Sequence, residues 1–379
     1  MPKESQTLLG LFPNIDSECI GGIQESGRLA WAAIIESLQE HDIQPQLFSY
    51  KTPESDRSDV VFPTAVVGSR ARAILATFGI RRNPESVLIW QLGLLKLLPF
   101  FRAPKKVTLF LHGIEAWREQ DWLTRRLLKR PDLFLTNSNY TWRRFLSHNP
   151  SLDQANHQTV ELGMKSPISL REIPAPTRPQ ALMLSRLSKT EDYKGHREVI
   201  AAWPLVLSNH PNAELVIAGD GDLRPELEKL SASVGVGSSV KFPGRVSEET
   251  KERLLEESRC LLMPSRGEGF GLVYLEAMRV GRPCLVSTID AGREVVNPPE
   301  AGLAVDLDQQ IELAEAISGL MSDGHEWRRW SEQARHRYEQ NYTAKHFQER
   351  LTAALFPTAE DEDALSNHLR TDSANLVMS

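Results

Sequence analysis

Short apolar runs alternate with longer amphipathic segments along almost the whole chain, and this alternation constrains the fold more than any other feature. The short runs predict buried strands, and the segments between them predict helices that cover a parallel sheet. The sequence therefore predicts an α/β protein. In the first half, the predicted strands are 7–12, 46–50, 86–90, 107–111, 133–136 and 159–162.

A second series of the same kind begins after a proline-rich stretch. Pro167, Pro174, Pro176 and Pro179 remove backbone donors and disfavour helix before them, which predicts an extended linker over 167–179. We expect two doubly wound domains, over 1–170 and 171–342, and a disordered acidic tail over 357–379. The strands predicted for the second domain are 181–185, 214–218, 240–242, 260–263 and 284–287.

Composition narrows the class of protein. A chain of 379 residues is long enough for two domains that share a cleft, and a formal net charge of −6 lacks the basic excess of a nucleic-acid binder. Three widely spaced cysteines indicate neither a disulfide framework nor a zinc site, and the N-terminus does not resemble a signal peptide. We therefore expect a cytoplasmic protein that does not bind nucleic acid.

The densest set of candidate site residues lies in the segment PSRGEGFGLVYLEAM. Gly267, Gly269 and Gly271 let the backbone approach a ligand closely, and free amides at the following helix start can bind phosphate or hydroxyl oxygens. Glu268 and Glu276 can each accept hydrogen bonds from pairs of sugar hydroxyls. The alternative is structural: a dipole-favoured charge for Glu268 and an exposed helix residue for Glu276.

Two cations follow the first predicted strand of the second domain. Ligands of open α/β sheets bind outside the carboxyl ends of the strands, where Arg186 and Lys194 would meet a diphosphate. Solvated surface cations are the alternative interpretation.

The first domain contributes weaker candidates. Gly21 and Gly22 follow its first strand and are either a phosphate approach site or a tight turn, and His112 ends the strand 107–111 at the same cleft edge. A histidine of this kind is often only structural. We find no Asp-x-Asp or His/Cys cluster that would require a metal, so we expect neither a metal nor a cofactor.

These motifs resemble those of the retaining glycosyltransferases of family 4 (group 1 glycosyltransferases), which have the GT-B architecture of two facing Rossmann-like domains with a cleft between them. The likeness is strongest over 181–296, where SRLS, YKGH, VIAGDGD, FPGRVS and PSRGEGFGLVYLEAM follow the family's order. Glu268 and Glu276 match its E-x7-E pair. GGIQES, LHGIEAWR and TNSNYT are weaker matches in the first half.

The resemblance implies a role for each domain. The first would bind the acceptor, the second would bind the nucleotide-sugar donor, and a C-terminal helix at about 343–356 would cross back to the first. Arg186 and Lys194 would hold the donor diphosphate, Glu276 the ribose and Glu268 the transferred sugar, with His112 at the reacting face. The remaining expected donor contacts are Gly21, Gly22, Gly244, Arg245, Val246, Gly269, Phe270, Gly271, Leu272 and Val273.

The implied reaction moves a sugar, with retention of configuration, from a UDP- or GDP-sugar to a lipid-linked or oligosaccharide acceptor in polysaccharide or glycoconjugate synthesis. The departing phosphate would help to deprotonate the acceptor, and no metal would be needed. Two alternatives share the fold: a nucleotide-sugar epimerase and a non-catalytic nucleotide-sugar-binding protein.

A basic surface is expected in the first domain despite the acidic total. Residues 81–144 hold thirteen basic residues against five acidic ones, a local net charge of +8. Within them, the apolar segment 92–101 adjoins Arg102, Lys105 and Lys106, a mixture that docks on anionic lipid. The sequence therefore predicts peripheral contact of 92–106 with the cytoplasmic face of a membrane. A buried helix surrounded by solvated cations is the alternative.

Overall fold

The structure is a computed structural model that describes residues 6–13, 15, 21–38, 43–50, 65–67, 84–101, 104–165 and 176–357. Within these ranges the strands form two fully parallel sheets, one of seven strands in the order β3-β2-β1-β4-β5-β6-β7 and one of six in the order β10-β9-β8-β11-β12-β13. The predicted α/β class with two doubly wound sheets is confirmed.

The strands of the first sheet are β1 (Gln6–Phe12), β2 (Ile43–Tyr50), β3 (Ala65–Val67), β4 (Ser86–Ile89), β5 (Lys106–Leu111), β6 (Leu133–Thr136) and β7 (His157–Thr159). Those of the second are β8 (Gln180–Leu184), β9 (Glu214–Ala218), β10 (Val240–Gly244), β11 (Cys260–Leu262), β12 (Cys284–Ser287) and β13 (Gly302–Val305).

The α-helices in the described residues are α1 (Gly22–Leu38), α2 (Trp122–Leu127), α3 (Asn139–His148), α4 (His196–Asn209), α5 (Arg224–Ser233), α6 (Glu248–Glu257), α7 (Leu272–Met278), α8 (Gly292–Val296), α9 (Gln310–Met321), α10 (His325–Asn341) and α11 (Ala344–Leu355). Short 3-10 helices cover Leu92–Phe100, Pro150–Leu152 and Lys189–Lys194.

Strands that are apolar at successive positions have both faces covered. In β1, Leu8 packs into one hydrophobic cluster and its neighbour Leu9 into another, because successive side chains of a strand point to opposite faces. Helices on both sides bury these faces, as expected for an all-parallel sheet.

The last helix lies on the first domain. Helix α11 packs against α1, where Gln348 Nε2 donates to Glu36 Oε2 at 2.8 Å. Lys106 Nζ, at the start of β5, donates to the carbonyl oxygen of Leu355 at 3.3 Å. The second sheet is therefore followed by a segment that returns to the first, as the resemblance implied.

One strand prediction needs correction, and two strands were not predicted. The strand predicted at 159–162 is shorter and lies earlier, at His157–Thr159, because the chain leaves the sheet there to pair Met164 with Thr343 ahead of α11. The buried residues Val160 and Leu162 thus belong to the packing of that exit. Strands β3 and β13 were not predicted.

Four leucines of the apolar segment 92–101 are buried and do not provide the predicted lipid contact, whereas Phe100 is 40% exposed. Membrane contact of 92–106 therefore stays a prediction. In the 3-10 helix Leu92–Phe100, Leu92, Leu94, Leu95 and Leu98 pack into the core beside β4 and β5. The alternative of a helix that covers the sheet is therefore correct for these leucines.

Some predictions lie outside the described residues: most of the 167–179 linker, nearly all of the 357–379 tail, and Cys19, Arg81, Arg82 and Arg102. In the described part of the chain, no helix combines the length and the hydropathy that crossing a membrane would require.

Both sheets reverse their strand order at a point that favours a ligand. In the first sheet the order reverses between β1 and β4, and in the second between β8 and β11. Crevices at such switch points, outside the carboxyl ends of the strands, are the usual ligand sites of open α/β sheets. A ligand site is therefore expected among the loops that follow these strands.

Candidate active site between the two sheets

Two cations follow β8, and a carboxylate lies between them. Glu191 forms an ion pair with Arg186 and a second with Lys194, where Lys194 Nζ and Glu191 Oε2 are 3.2 Å apart. The Arg186 side chain is 76% exposed, whereas that of Glu191 is 14% exposed. The two cations thus form an anion site that an acidic side chain of the same chain occupies.

The glycine-rich loop between β11 and α7 lies directly against this cation segment. Gly195 has a φ of +81°, and a Cβ there would lie 2.6 Å from the carbonyl oxygen of Pro264. The amide of Arg266 donates to the carbonyl of Tyr193 at 2.8 Å. Only glycine at position 195 allows the two segments to approach this closely.

Tyr193 shows that Arg186, Glu191 and the loop carboxylate Glu268 share one environment. Burial raises the pKa of its phenol well above the ordinary value, and the charges of Glu191 and Glu268 raise it further, while Arg186 lowers it. All three charged groups are therefore within electrostatic reach of one hydroxyl. The Glu268 side chain itself accepts from the amide of Gly269, with 3.2 Å between Gly269 N and Glu268 Oε1.

Glu276 lies on α7 in a pocket of charged residues. Its Oε1 accepts from Lys251 Nζ at 2.7 Å, and the same ammonium pairs with Glu248 at 2.6 Å. Burial raises the pKa of the Glu276 carboxyl, Lys251 lowers it, and Glu25 of α1 raises it. The N-terminal turn of α1, in the first domain, is thus close enough to Glu276 to affect its charge.

His112 is buried at the end of β5 in an aromatic setting. Its ring stacks on Phe110 at 4.6 Å between centroids and meets Trp90 edge-on at 5.0 Å. Nε2 lies 2.7 Å from the carbonyl oxygen of Trp90, and because a carbonyl only accepts, Nε2 carries the proton. Desolvation lowers the pKa of His112, although Glu115 opposes the shift. The imidazole is therefore neutral, with a lone pair on Nδ1.

The two domains touch where the strand end of His112 meets the glycine-rich loop. A Cβ at Gly269 would collide with the carbonyl oxygen of His112, so only glycine fits there. Ser138, the N-cap of α3, donates from Oγ to the carbonyl of Gly269 at 2.8 Å. A Cβ at Gly22 would lie 3.6 Å from Leu272 Cδ1, which places the start of α1 beside the start of α7.

A second contact between the domains involves Glu294 of α8. Its carboxylate accepts from the amide of Asn139 at 2.8 Å and pairs with Arg143 Nη2 at 2.9 Å. The N-terminus of α3 therefore binds an acidic side chain of the other domain, as the helix dipole favours.

The structure brings most of the predicted site residues to one cleft. Gly22 and His112 reach it from the first domain, and Arg186, Lys194, Glu268, Gly269, Gly271, Leu272 and Glu276 reach it from the second. Gly21 precedes α1 and its carbonyl accepts from Glu25, and Val273 is half-buried in the first turn of α7. Their roles in binding and catalysis stay predictions.

Other predicted donor contacts lie apart from this centre or are limited to the backbone. Gly244 ends β10, and Arg245 and Val246 follow it. Strand β10 is at the edge of the second sheet, and two strands, β9 and β8, lie between it and β11. Phe270 is only 2% exposed, and its ring packs edge-on against Tyr342. Any donor contact at Phe270 would therefore come from its backbone.

Within the described ranges, no group of three or more His, Cys, Asp or Glu side chains is arranged to hold a metal ion. The buried sulfhydryls of Cys260 and Cys284 are free.

Several residues at the cleft were not identified from the sequence. Glu191 and Lys251 neutralise predicted site residues, Ser138 joins the domains, and Asp290 binds the backbone of Glu268. Ser138 carries a local signal, a serine three residues before Thr141 at a helix start. Lys251 and Asp290 carry none, because each contacts a residue that is distant in the sequence. Glu191 lies only three residues before Lys194 and was not singled out.

The fold and the cleft define the GT-B class, two Rossmann-like domains that face each other. A solved structure described as a glycosyltransferase from Rickettsia africae ESF-5 aligns with a TM-score of 0.71 and 18% identity over 93% of this chain and 100% of that chain. A likeness at this identity concerns the fold alone.

Sequence comparison characterises the second domain. Residues 169–337, under half of the chain, match the family model described as "Glycosyl transferases group 1". An uncharacterized glycosyltransferase of Methanocaldococcus jannaschii, MJ1607, is 37% identical over 34% of this chain and 33% of its own length. A GDP-mannose-dependent monoacylated alpha-(1-6)-phosphatidylinositol monomannoside mannosyltransferase of Corynebacterium glutamicum is 28% identical over 52% of this chain and 55% of its own length. The matched parts thus span between a third and about half of these relatives.

Proposed function

We propose that this chain is a retaining glycosyltransferase of family 4, which transfers a sugar from a UDP- or GDP-sugar to an acceptor in polysaccharide or glycoconjugate synthesis. One observation carries the proposal: Arg186 and two carboxylates, Glu191 and Glu268, lie within electrostatic reach of Tyr193, beside a glycine-rich loop that touches His112 of the opposite domain. The group 1 match over 169–337 and the mannosyltransferase named above support it.

Arg186 and Lys194 are the proposed diphosphate ligands. Their occupant, Glu191, carries one negative charge, whereas the diphosphate of a nucleotide sugar carries two, so a donor would displace it and take over both ion pairs. Fixed cations stabilise the leaving diphosphate as its negative charge develops, which is the largest catalytic contribution that a site of this kind can make.

The two carboxylates of the E-x7-E pair have separate proposed roles. Glu276, on α7 and beside Lys251, accepts from the ribose hydroxyls, and Glu268, in the loop, accepts from hydroxyls of the transferred sugar. His112 is neutral, so it contributes an acceptor, Nδ1, and not a proton donor.

For the reaction we propose substitution on one face of the sugar. The bond from the anomeric carbon to the diphosphate breaks, the acceptor oxygen bonds to the same face, and the acceptor proton passes to the departing phosphate oxygen. Cations already supply the charge that a divalent metal would provide, so the proposed reaction needs no metal. We therefore expect turnover to survive EDTA, and a complete, magnesium-reversible loss would contradict this.

A lipid-linked acceptor requires approach to a bilayer, and the exposed surface around α2 fits that requirement better than 92–106. Trp122 is 74% exposed, and Arg125, Arg126, Lys129 and Arg130 are exposed beside it. An aromatic residue among cations is a common combination at anionic lipid surfaces. The proposed membrane contact is therefore peripheral and largely electrostatic.

A labelled donor panel tests the proposal. Purified protein is incubated with UDP- and GDP-sugars, with and without a membrane lipid extract or oligosaccharides, and labelled product is separated from donor. Transfer that depends on the acceptor is expected. Conversion of the donor sugar without an acceptor would indicate an epimerase, binding without any conversion would indicate a non-catalytic protein, and failure to bind any donor at millimolar concentration would refute the proposal.

A further inference from the structure

Asp290 lies in the turn between β12 and α8, where it is 3% exposed. Each oxygen of its carboxyl group accepts a backbone hydrogen bond: Oδ2 from the amide of Glu268 at 3.1 Å and Oδ1 from the amide of Gly292 at 3.0 Å. One oxygen therefore fixes the turn itself, and the other reaches across to the glycine-rich loop.

The same turn also holds the carbonyl of Glu268. The amide of Ala291 donates to Glu268 O at 3.2 Å, so residues 290–291 bind both polar atoms of the Glu268 backbone. Gly267 and Gly269 flank Glu268, and glycines on both sides give a loop wide conformational freedom. The turn is therefore a specific restraint on a segment that is intrinsically free to move.

The restraint costs folding free energy, because it buries the carboxyl group of Asp290 without a neighbouring cation, among the described residues, to balance its charge. Burial, and to a smaller extent the charge of Glu268, raise the pKa of Asp290 to about 8, although the two backbone amides oppose the shift. The other titratable groups that face Asp290 are Tyr274 of α7 and Tyr140 of α3. No cation balances the group among these neighbours.

We propose that Asp290 is a positioning residue that holds Glu268 against the transferred sugar. This inference rests on the proposed glycosyl transfer, because it assigns Asp290 a purpose in that reaction. Asp290 does not touch the donor; it acts through the backbone of Glu268. It therefore affects the chemical step and leaves the nucleotide subsite around Glu276 unchanged.

Asp290→Asn is the most direct variant. Asparagine keeps the size and one carbonyl oxygen, but its amide donates, so it cannot accept from both backbone amides at once. We expect kcat to fall by about 10²-fold, the scale of a ~1 Å displacement of a reacting group, with KM for the donor and affinity for UDP or GDP unchanged. Asp132→Asn is the matched control, because Asp132 Oδ2 also accepts a backbone hydrogen bond, from Val107 at 2.8 Å, away from the cleft.

A second measurement titrates the wild-type protein and needs no substrate; a variant serves only to assign the resonance. With 15N-glutamate labelling and assignment through Glu268→Gln, the amide resonance of Glu268 should titrate with a midpoint near that of Asp290. The amide of Glu276 should not follow this titration.

The outcomes separate the two proposals. An unchanged kcat in Asp290→Asn, or an equal loss in kcat and nucleotide affinity, would overturn the positioning role, and so would a Glu268 amide that does not titrate. If the wild type converts no donor while its Glu268 amide titrates as expected, the proposed reaction fails and the restraint on Glu268 stands.

Discussion

At the scale of single residues, the two carboxylates of the E-x7-E pair should give different kinetic results. We expect Glu276→Gln to weaken UDP or GDP binding by about 10- to 100-fold, the equivalent of ~1.5–3 kcal/mol for hydrogen bonds to a charged group. Glu268→Gln should lower kcat by roughly tenfold or more with little change in nucleotide affinity, because its proposed partner is the reacting sugar. Calorimetry with the nucleotides and steady-state kinetics measure the two effects. The opposite pattern would reverse the assignment.

His112 should leave a signature in the pH dependence of stability. Burial lowers its pKa in the folded protein below the ordinary value of 6.5, so the unfolded chain binds the proton more readily. The free energy of unfolding should therefore fall as pH decreases below about 6.5, with a limiting slope of ~1.4 kcal/mol per pH unit from this one group.

His112→Gln tests this contribution, because glutamine can still donate to the Trp90 carbonyl and does not titrate. Urea unfolding of both proteins at several acidic pH values should give the smaller slope for the variant. His157 and His196, whose pKa values burial lowers to about 4, contribute equally to both proteins. Equal slopes would mean that His112 is not held neutral.

At the scale of elements, the N-cap of α3 serves two purposes. Ser138 caps α3 by accepting from Thr141 N and donates to Gly269 of the other domain, whereas Ser247 caps α6 by accepting from Thr250 N and donates to Thr250 Oγ1 of the same helix. Replacing either serine with alanine should cost about 0.5–2 kcal/mol of stability through the lost cap.

Ser138→Ala alone should also loosen the contact between the domains. We expect a larger radius of gyration in X-ray scattering with saturating nucleotide for Ser138→Ala than for Ser247→Ala. Indistinguishable scattering from the two variants would show that the bond to Gly269 does not help to hold the cleft closed.

Among the elements, the sequence predicts the features that depend on local signals and not those that depend on contacts between distant segments. The parallel α/β class and the loop at 264–271 were predictable, because alternating apolar runs and glycine spacing are local signals. The burial of the leucines of 92–101 and the early end of β7 were not, since both depend on packing against segments that are distant in the sequence. For the same reason, Asp290 gives no signal in the sequence, although it contacts Glu268, which does.

At the scale of the whole molecule, the acidic chain presents a basic surface in its first domain. We expect salt-sensitive flotation with vesicles of anionic phospholipid. Replacing Trp122, Arg126 and Lys129 together with alanine should weaken binding strongly, because each cation near the surface contributes ~1 kcal/mol. Lys229→Ala with Lys241→Ala removes two exposed cations of the second domain and is the matched control. Wild-type protein that stays in the soluble fraction at low salt would exclude this contact and favour a soluble acceptor.

The collision that a Cβ at Gly269 would make with His112 has a mechanical consequence. Backbone packs against backbone at this point, and backbone cannot move aside as a flexible side chain can. The two domains therefore cannot approach each other more closely here. Under the proposed function, the minimum width of the cleft is then the same for every donor sugar. A donor that is too bulky would be rejected because the two domains could not close around it. Donors would therefore be selected by size, before the chemical step.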